Sequence, residues 1–279
     1  MMNSAREKTN QRIGRLRSLL CVGLDTDIQK IPSIFLSFEN PVLEFNKAII
    51  RATEDTAVAY KINTAFYEAR GCDGIADMEA TLQCLPIDSL RIADAKRADI
   101  GNTSSMYAKA FFEHWGFDAI TVAPYMGSDS LAPFFAYSDK LVFVLCLTSN
   151  EGSADFEERQ LADGSRLYEA VLHNVAAWSR NYNGGIVVGA TKSGMLAAIR
   201  QSAPGLFMLI PGVGAQGGEL EAAVRAGVDA EGRSALINVS RALIYPDAPG
   251  GASWSSVDAY EAAVTKIASE ICNSMRSVL

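Results

Sequence analysis

A short apolar run followed by a longer segment of helical periodicity recurs eight times along this chain, and no other feature constrains the fold as much. Most of the runs are almost continuously apolar, which is typical of parallel strands that are covered on both faces. Eight strand–helix units within 279 residues predict a (β/α)8 barrel, with a doubly wound open sheet as the alternative. The runs are Leu19–Leu24, Ala57–Ile62, Leu90–Ala93, Ala119–Ala123, Leu141–Leu147, Gly185–Gly189, Leu206–Ile210 and Ala235–Val239.

Helices are expected between these runs. Pro41–Thr53 begins with a proline directly after Asn40, an arrangement typical of a helix N-terminus. Gly116 and Gly227 stand where C-terminal caps belong. Because no linker-like segment or charge block interrupts the repeats, residues 1–279 are expected to form one barrel domain, with residues 1–18 as an N-terminal surface helix. The other helices are predicted over Asn102–Trp115, Arg166–Tyr182, Lys192–Gln201, Gln216–Ala226 and Val257–Met275.

Composition argues against several classes of partner. Lys and Arg number 25 and Asp and Glu number 32, so the net charge of −7 disfavours nucleic acid and anionic membranes. No apolar run approaches the roughly 20 residues of a membrane span, and no signal peptide is recognisable. The five cysteines form no C-x-x-C pair and the chain has only two histidines, which predicts free thiols and no zinc site. We therefore expect a cytoplasmic protein.

Polar residues stand at the ends of several predicted strands. In a barrel of this kind the site lies at the carboxyl ends of the strands, so these residues are candidates for function. Their number favours a polar ligand site over a purely structural network of charges. They are Asp25, Lys61, Asn63, Asp94, Lys96, Thr148, Ser149, Asn150, Ser240 and Arg241.

The segment from Asp94 to Gly101 carries the most specific pattern. Asp94 and Lys96 are two residues apart, which on a strand places both side chains on one face, and Asp99 follows beyond the strand. Lys61 on the neighbouring strand supplies a second cation and completes an alternating row of charges. Flanking carboxylates favour the charged form of Lys96, which suits protonation of a carbanion and disfavours Schiff-base chemistry. The alternative is a structural ladder of ion pairs, although buried ion pairs add little net stability.

A glycine-rich loop follows the seventh run. It matches the dinucleotide fingerprint G-x-G-x-x-G, but the next strand ends in Ser240 and Arg241 and not in the acidic residue that binds a ribose. We interpret the loop as a phosphate site, to which Gln216 and Arg241 add side-chain donors. For Arg241 the alternative is an ion pair with Asp229 or Asp247. The glycines of the match are Gly212, Gly214 and Gly217.

Together these motifs resemble the orotidine 5′-phosphate decarboxylase family, and its longer-chain bacterial subgroup in particular. The resemblance covers most of the chain, from Leu20 to about Pro246, and D-x-K-x-x-D-I combined with the downstream glycine loop is its most specific part. It implies decarboxylation of orotidine 5′-monophosphate to UMP in pyrimidine synthesis without a metal or other cofactor. The motifs that carry it are Leu20–Asp25, Asp94–Ile100 and Pro211–Gly218.

The resemblance also implies roles for individual residues. Lys96 would protonate C6 of the pyrimidine, and Asp94 would lie beside the departing carboxylate. Lys61 would hold Asp94 and contact the ribose, and Asp25 would contact the ribose as well. Ser149 would contact the pyrimidine ring, although the adjacent Thr148 is an alternative.

Further implied roles concern the phosphate and a second subunit. Gly214, Gln216 and Arg241 would hold the 5′-phosphate. Asp99 and Thr103 would enter the site of a neighbouring subunit, which makes the expected protein a homodimer with shared sites. Residues 150–167 are either a closing lid or a subgroup insertion.

Two other functions stay open at this point. One is a metal-dependent sugar-phosphate lyase or decarboxylase of the same barrel superfamily, which needs an extra acid near the end of the second strand. Lys61–Asn63 stands there, and Glu68 is the nearest acid further along. The other is a non-catalytic nucleotide-binding barrel, against which the intact Asp94, Lys96 and Asp99 argue.

Overall fold

Eight parallel strands follow one another in chain order around a closed barrel. The computed structural model describes residues 4–179, 183–190, 193–212, 218–247, 250 and 253–279. Closure of the sheet confirms the predicted (β/α)8 architecture and excludes the open sheet. Every strand overlaps one predicted apolar run. The strands are β1 (Leu20–Gly23), β2 (Ala59–Asn63), β3 (Leu90–Arg97), β4 (Ala119–Val122), β5 (Leu141–Leu147), β6 (Gly184–Val188), β7 (Phe207–Pro211) and β8 (Ala235–Val239).

Helices cover the outside of this barrel. Pro41–Thr53 forms as predicted, with the side chain of Asn40 accepting a hydrogen bond from the backbone of Leu43. The predicted helical residues 180–182, 192 and 216–217 lie outside the described part of the chain. The helices are α1 (Ala5–Leu16), α2 (Pro41–Thr53), α3 (Ala65–Glu68), α4 (Gly71–Cys84), α5 (Gly101–Lys109), α6 (Ser128–Phe135), α7 (Leu167–Trp178), α8 (Ser193–Ser202), α9 (Gly218–Gly227), α10 (Arg241–Ile244) and α11 (Val257–Arg276).

Two glycines that were predicted as caps behave differently. Gly116 follows the π-helical turn Ala110–His114 that extends α5, and its φ of 71° is the left-handed conformation of a C-terminal cap. Gly227 is the last residue of α9 and has no positive φ, so the capping prediction is wrong there. A Cβ on Gly227 would lie 2.4 Å from Cδ1 of Ile210, so α9 packs closely against β7 at this residue.

The core fills both the barrel and the layer between strands and helices. β5 is buried at every position except Leu145, as expected for a strand covered on both faces. In the outer layer, the rings of Phe35, Phe45 and Tyr260 pack at centroid distances of 5.3 to 5.5 Å and join α2 to α11. Within the described ranges, no helix is long and apolar enough to cross a membrane.

Helix α1 packs across the end of the barrel where the strands begin. The buried guanidinium of Arg12 donates to the carbonyls of Ala57 at 2.9 Å and Glu54 at 2.7 Å, and it also pairs with Asp88. Lys8 pairs with Asp118 at 2.7 Å. These partners directly precede β2, β3 and β4, so α1 holds the amino end of the barrel and leaves the carboxyl ends open.

Candidate active site

Four charged side chains form a continuous row at the carboxyl ends of β1, β2 and β3. Lys61 Nζ lies 3.2 Å from Asp25 Oδ1 and 2.9 Å from Asp94 Oδ2. Lys96 Nζ lies 2.5 Å from Asp94 Oδ1. Lys61, Asp94 and Lys96 therefore meet as the strand pattern predicted, and Asp25 occupies the far end of the row.

The two lysines differ in exposure. The side chain of Lys61 is 4% exposed and lies between two carboxylates, whereas that of Lys96 is 48% exposed and faces the mouth of the barrel. Burial disfavours the ammonium form of Lys61, but the charges of Asp25 and Asp94 outweigh this and raise the pKa of Lys61 above its ordinary value. Burial would raise the pKa of Asp94, but the ammonium groups of Lys61 and Lys96 lower it to about 2. Asp94 is thus a carboxylate at neutral pH.

The backbone at Lys96 departs from a regular strand. Its φ is 47°, which is rare for a residue other than glycine, and the pairing of β3 with β4 shifts register between Ala93 and Arg97. The contact between Asp94 and Lys96 therefore arises at a β-bulge and not from strand alternation alone. The Lys96 N–H donates to the Thr121 hydroxyl at 3.0 Å, and that hydroxyl donates to Asp94 Oδ1 at 3.0 Å.

Asp99 and Thr103 stand apart from the row within one chain. Asp99 is half-buried after β3, and its carboxylate accepts the N–H of Ile100 at 2.7 Å. Among the described residues, Asp99 forms no ion pair with Lys96. Thr103 is exposed in the first turn of α5. The fourth charge of the row in this chain is consequently Asp25.

Ser149 lies at the mouth after β5. A Cβ built on Gly212 would lie 3.5 Å from the Ser149 hydroxyl oxygen, so Ser149 borders the loop that follows β7. The neighbouring Thr148 is held by Glu157, whose carboxylate accepts the Thr148 N–H at 2.6 Å and its hydroxyl at 3.0 Å. The Thr148 hydroxyl is thus engaged, which favours Ser149 as the hydroxyl available to a ligand.

The predicted phosphate site is described only in part. Gly214 and Gln216 lie outside the described residues, and Gly212, the last described residue before them, has a φ of 88°. Arg241 is exposed at the start of α10. In the described part of the chain it pairs with neither Asp229 nor Asp247, so the ion pair considered as an alternative is absent.

The acid required by a metal-dependent relative is engaged elsewhere. Glu68, at the end of α3, pairs with Arg97. Within the described ranges, no three His, Cys, Asp or Glu side chains are grouped closely enough to hold a metal ion.

Sequence reasoning missed Thr121 and Glu157. Thr121 is a polar residue inside an otherwise apolar strand, and this was the signal that could have identified it. Glu157 lies in the segment between β5 and α7, where spacing along the chain does not predict a contact with Thr148. Thr121 holds the backbone of Lys96 itself, and Glu157 holds the backbone of Thr148, which adjoins Ser149.

The arrangement of the row has a definite chemical capacity. Lys96 offers a proton donor at the mouth, directly beside the ionised Asp94. A negatively charged group bound next to Asp94 would be repelled, whereas negative charge developing near Lys96 Nζ would be stabilised and could be protonated. These properties suit a reaction that loses an anionic group and forms a carbanion.

Comparison with known proteins gives consistent matches over nearly the whole chain. The model of the orotidine 5′-phosphate decarboxylase / HUMPS family matches residues 18–253. An orotidine 5′-phosphate decarboxylase of Porphyromonas gingivalis is 50% identical over 239 residues, 85% of this chain and 86% of the relative. That of Parabacteroides distasonis is 51% identical over 240 residues, 85% of each chain. The solved structure of Leishmania donovani OMP decarboxylase has a TM-score of 0.81 at 40% identity and covers 99% of this chain and 100% of its own.

Proposed function

This chain belongs to the orotidine 5′-phosphate decarboxylase / HUMPS family, as its motifs predicted, and we propose that it converts orotidine 5′-monophosphate to UMP in pyrimidine synthesis without a metal or other cofactor. Within that family the curated relatives that are about half identical over 85% of the chain are named as the decarboxylase. The observation that carries the proposal is the row in which Asp94 contacts both Lys61 and Lys96 at the carboxyl ends of β2 and β3.

The proposed reaction is a heterolytic cleavage followed by proton transfer. The bond between C6 of the pyrimidine and its carboxylate breaks, CO2 leaves, and the electron pair stays on C6. Lys96 Nζ donates a proton to C6, and the resulting amine regains a proton from water after product release. Atoms and electrons balance without an oxidant or a reductant.

Asp94 supplies the repulsion in this scheme. Its carboxylate remains ionised because two ammonium groups contact it, so a substrate carboxylate placed beside it is destabilised before the reaction. Loss of CO2 relieves that repulsion, and the carbanion then faces Lys96. Lys61 holds Asp94 from the buried side, which prevents the carboxylate from turning away from the substrate.

The remaining site residues bind parts of the nucleotide away from the reacting carbon. We propose that Asp25 and Lys61 contact the ribose and that Ser149 contacts the pyrimidine. Gly214, Gln216 and Arg241 would hold the 5′-phosphate. Binding energy gained at a distant phosphate can be used to hold the substrate carboxylate against Asp94. Phe156 of residues 150–167 lies at a ring distance of 6.4 Å from Tyr125, which follows the carboxyl end of β4, so this segment borders the mouth that a closing lid would cover.

We also propose a homodimer in which Asp99 and Thr103 enter the partner's site. Thr103 lies on the exposed side of α5 between Ile100 and Met106, each three residues away, and both of these apolar side chains are exposed. These apolar residues lie beside Asp99, which has no ion pair within the described chain. Such a surface suits contact with a second copy of the chain.

Two broader expectations are proposed on similar grounds. We propose that the protein resides in the cytoplasm, since all five cysteines are free thiols. We propose that residues 1–279 act as one barrel domain. The first helix of the chain, α1, packs against the barrel, and the last helix, α11, packs against the helices that surround the same barrel.

Ultraviolet loss of orotidine 5′-monophosphate in excess EDTA tests the function. Wild-type protein is expected to turn over, Lys96→Ala to show no turnover, and Lys266→Ala, an exposed lysine on α11, to behave as wild type. Turnover that requires added Mg²⁺ would identify a metal-dependent relative. UMP binding without turnover under either condition would identify a non-catalytic barrel.

A further inference from the structure

Thr121 on β4 links two parts of the same lysine. Its side-chain hydroxyl accepts the backbone N–H of Lys96 at 3.0 Å and donates to Asp94 Oδ1 at 3.0 Å. The same Oδ1 accepts Lys96 Nζ at 2.5 Å. One hydroxyl therefore closes a ring of hydrogen bonds that runs from the Lys96 backbone, through Asp94, to the Lys96 ammonium group.

The Lys96 backbone needs such support. A non-glycine residue in the left-handed region, here with φ 47°, is strained and persists only where its surroundings impose it. The bulge also removes Lys96 from the regular pairing of β3 with β4. Without the Thr121 hydroxyl, the Lys96 N–H would lose its hydrogen-bond partner.

Arg97 supports the bulge from the other side. Its guanidinium donates to the Ala95 carbonyl at 3.0 Å, pairs with Glu68, and lies over the rings of Tyr107 and Phe111 at 5.4 and 5.5 Å. None of these contacts reaches the charge row. Of Thr121 and Arg97, it is thus Thr121 whose side chain bonds both the Lys96 backbone and a carboxylate of the charge row.

We propose that Thr121 is a positioning residue that holds Lys96 Nζ and Asp94 in the geometry needed for proton transfer, an inference that rests on the proposed decarboxylation. Thr121 is 1% exposed, so a ligand at the mouth does not reach it, and it acts through Lys96 and Asp94. Its loss should therefore lower kcat and leave KM nearly unchanged, because the groups that bind ribose and phosphate stay in place.

The test compares three substitutions in the full-length protein. Thr121→Val keeps the shape and removes the hydroxyl, and kcat should fall about 10- to 100-fold, as expected for one lost hydrogen bond to a charged group. Thr121→Ser keeps the hydroxyl and should stay within about threefold of wild type, since the hydrogen bonds are retained. The control is Thr9→Val, which removes a buried hydroxyl bonded to Ala5 at the opposite end of the barrel and should leave kcat unchanged.

Several outcomes would overturn the proposal. Wild-type kcat in Thr121→Val would do so, as would an equal loss in Thr121→Ser, which would assign the effect to packing. If Thr121→Val does not fold, Thr121→Cys, whose thiol is a weak donor, must have a lower kcat than Thr121→Ser. If the wild-type protein has no turnover, the proposed function fails and kcat no longer tests the role of Thr121. A crystal structure of Thr121→Val or Thr121→Cys then tests that role directly. An unchanged contact of Lys96 Nζ with Asp94 Oδ1 in that structure would refute the positioning role.

Discussion

Lys61 and Lys96 carry the same functional group but occupy environments that suit different tasks. Lys61 is almost fully buried between two carboxylates, so its ammonium group is fixed by both ion pairs. Lys96 contacts one carboxylate and is half exposed. This difference in burial supports the proposed division between a lysine that holds Asp94 and a lysine that transfers a proton.

Arg241→Ala tests the phosphate role of a single exposed side chain. Because Arg241 has no ion pair with Asp229 or Asp247 in the described chain, its loss should not disturb the fold. We expect kcat/KM for orotidine 5′-monophosphate to fall about 10- to 100-fold, the effect of one charge-assisted contact. The phosphate-free nucleoside should react at nearly the wild-type rate, and Arg241→Lys should recover part of the loss. Equal losses for nucleotide and nucleoside would indicate a structural role.

The charged side chains of the site were the ones that sequence could predict. Asp94, Lys96 and Lys61 are identified by their types and by their positions at strand ends. The Thr121 hydroxyl reaches Lys96 and Asp94 because of the bulge in β3. The Glu157 carboxylate reaches Thr148 because of the conformation of the loop after β5. These features arise from three-dimensional packing, and spacing along the chain carries no signal of them.

Helix α1 illustrates how one secondary-structure element is attached by a few buried groups. Arg12 is 3% exposed and bonds two backbone carbonyls as well as Asp88, whereas Arg15 is 60% exposed and, among the described residues, bonds Asp88 alone. Burial would raise the pKa of Asp88, but Arg12 and Arg15 hold it below its ordinary value. The attachment of α1 should therefore depend mainly on Arg12.

This difference predicts unequal effects on stability. Arg12→Ala removes the donor of the buried Ala57 carbonyl and of the partly buried Glu54 carbonyl and should lower the free energy of unfolding by about 2–4 kcal/mol. Arg15→Ala removes an exposed pair and should cost at most about 1 kcal/mol. Urea titration of both variants measures the difference, with decarboxylation of the folded fraction unchanged in each because α1 lies at the end of the barrel away from the charge row. Equal losses of stability would contradict this account of α1.

Strands and most helices were predictable because apolar runs and helical periodicity record local burial. Pro41–Thr53 matches to the residue, and Leu90–Ala93 lies within a longer β3. Three other features depend on neighbouring elements. They are the extension of β3 to Arg97 with its bulge, the π-helical turn after α5 and the packing of Gly227. Local sequence does not encode these features.

Closure of the barrel brings together residues that are far apart in sequence. Asp25, Lys61 and Asp94 meet because parallel strands in chain order direct all their carboxyl ends to one mouth. Asp99 follows the same strand as Asp94 but lies outside the row in a single chain. The proposed site, completed by a second copy, would explain why a charged residue within the same motif has no ion pair among the described residues of its own chain.

Mixing two inactive variants tests this sharing. If Asp99 acts across the dimer, a hybrid of Lys96→Ala and Asp99→Ala subunits contains one site with wild-type Lys96 from one chain and wild-type Asp99 from the other. Random exchange at equal amounts makes half of the dimers hybrids, so activity should recover to about a quarter of wild type. The matched control mixes Lys96→Ala with Asp94→Ala; both residues belong to the same chain's half of the site, and no recovery is expected. Exchange is verified with differently tagged subunits, and absence of recovery in the first mixture despite exchange would show that Asp99 serves its own chain or none.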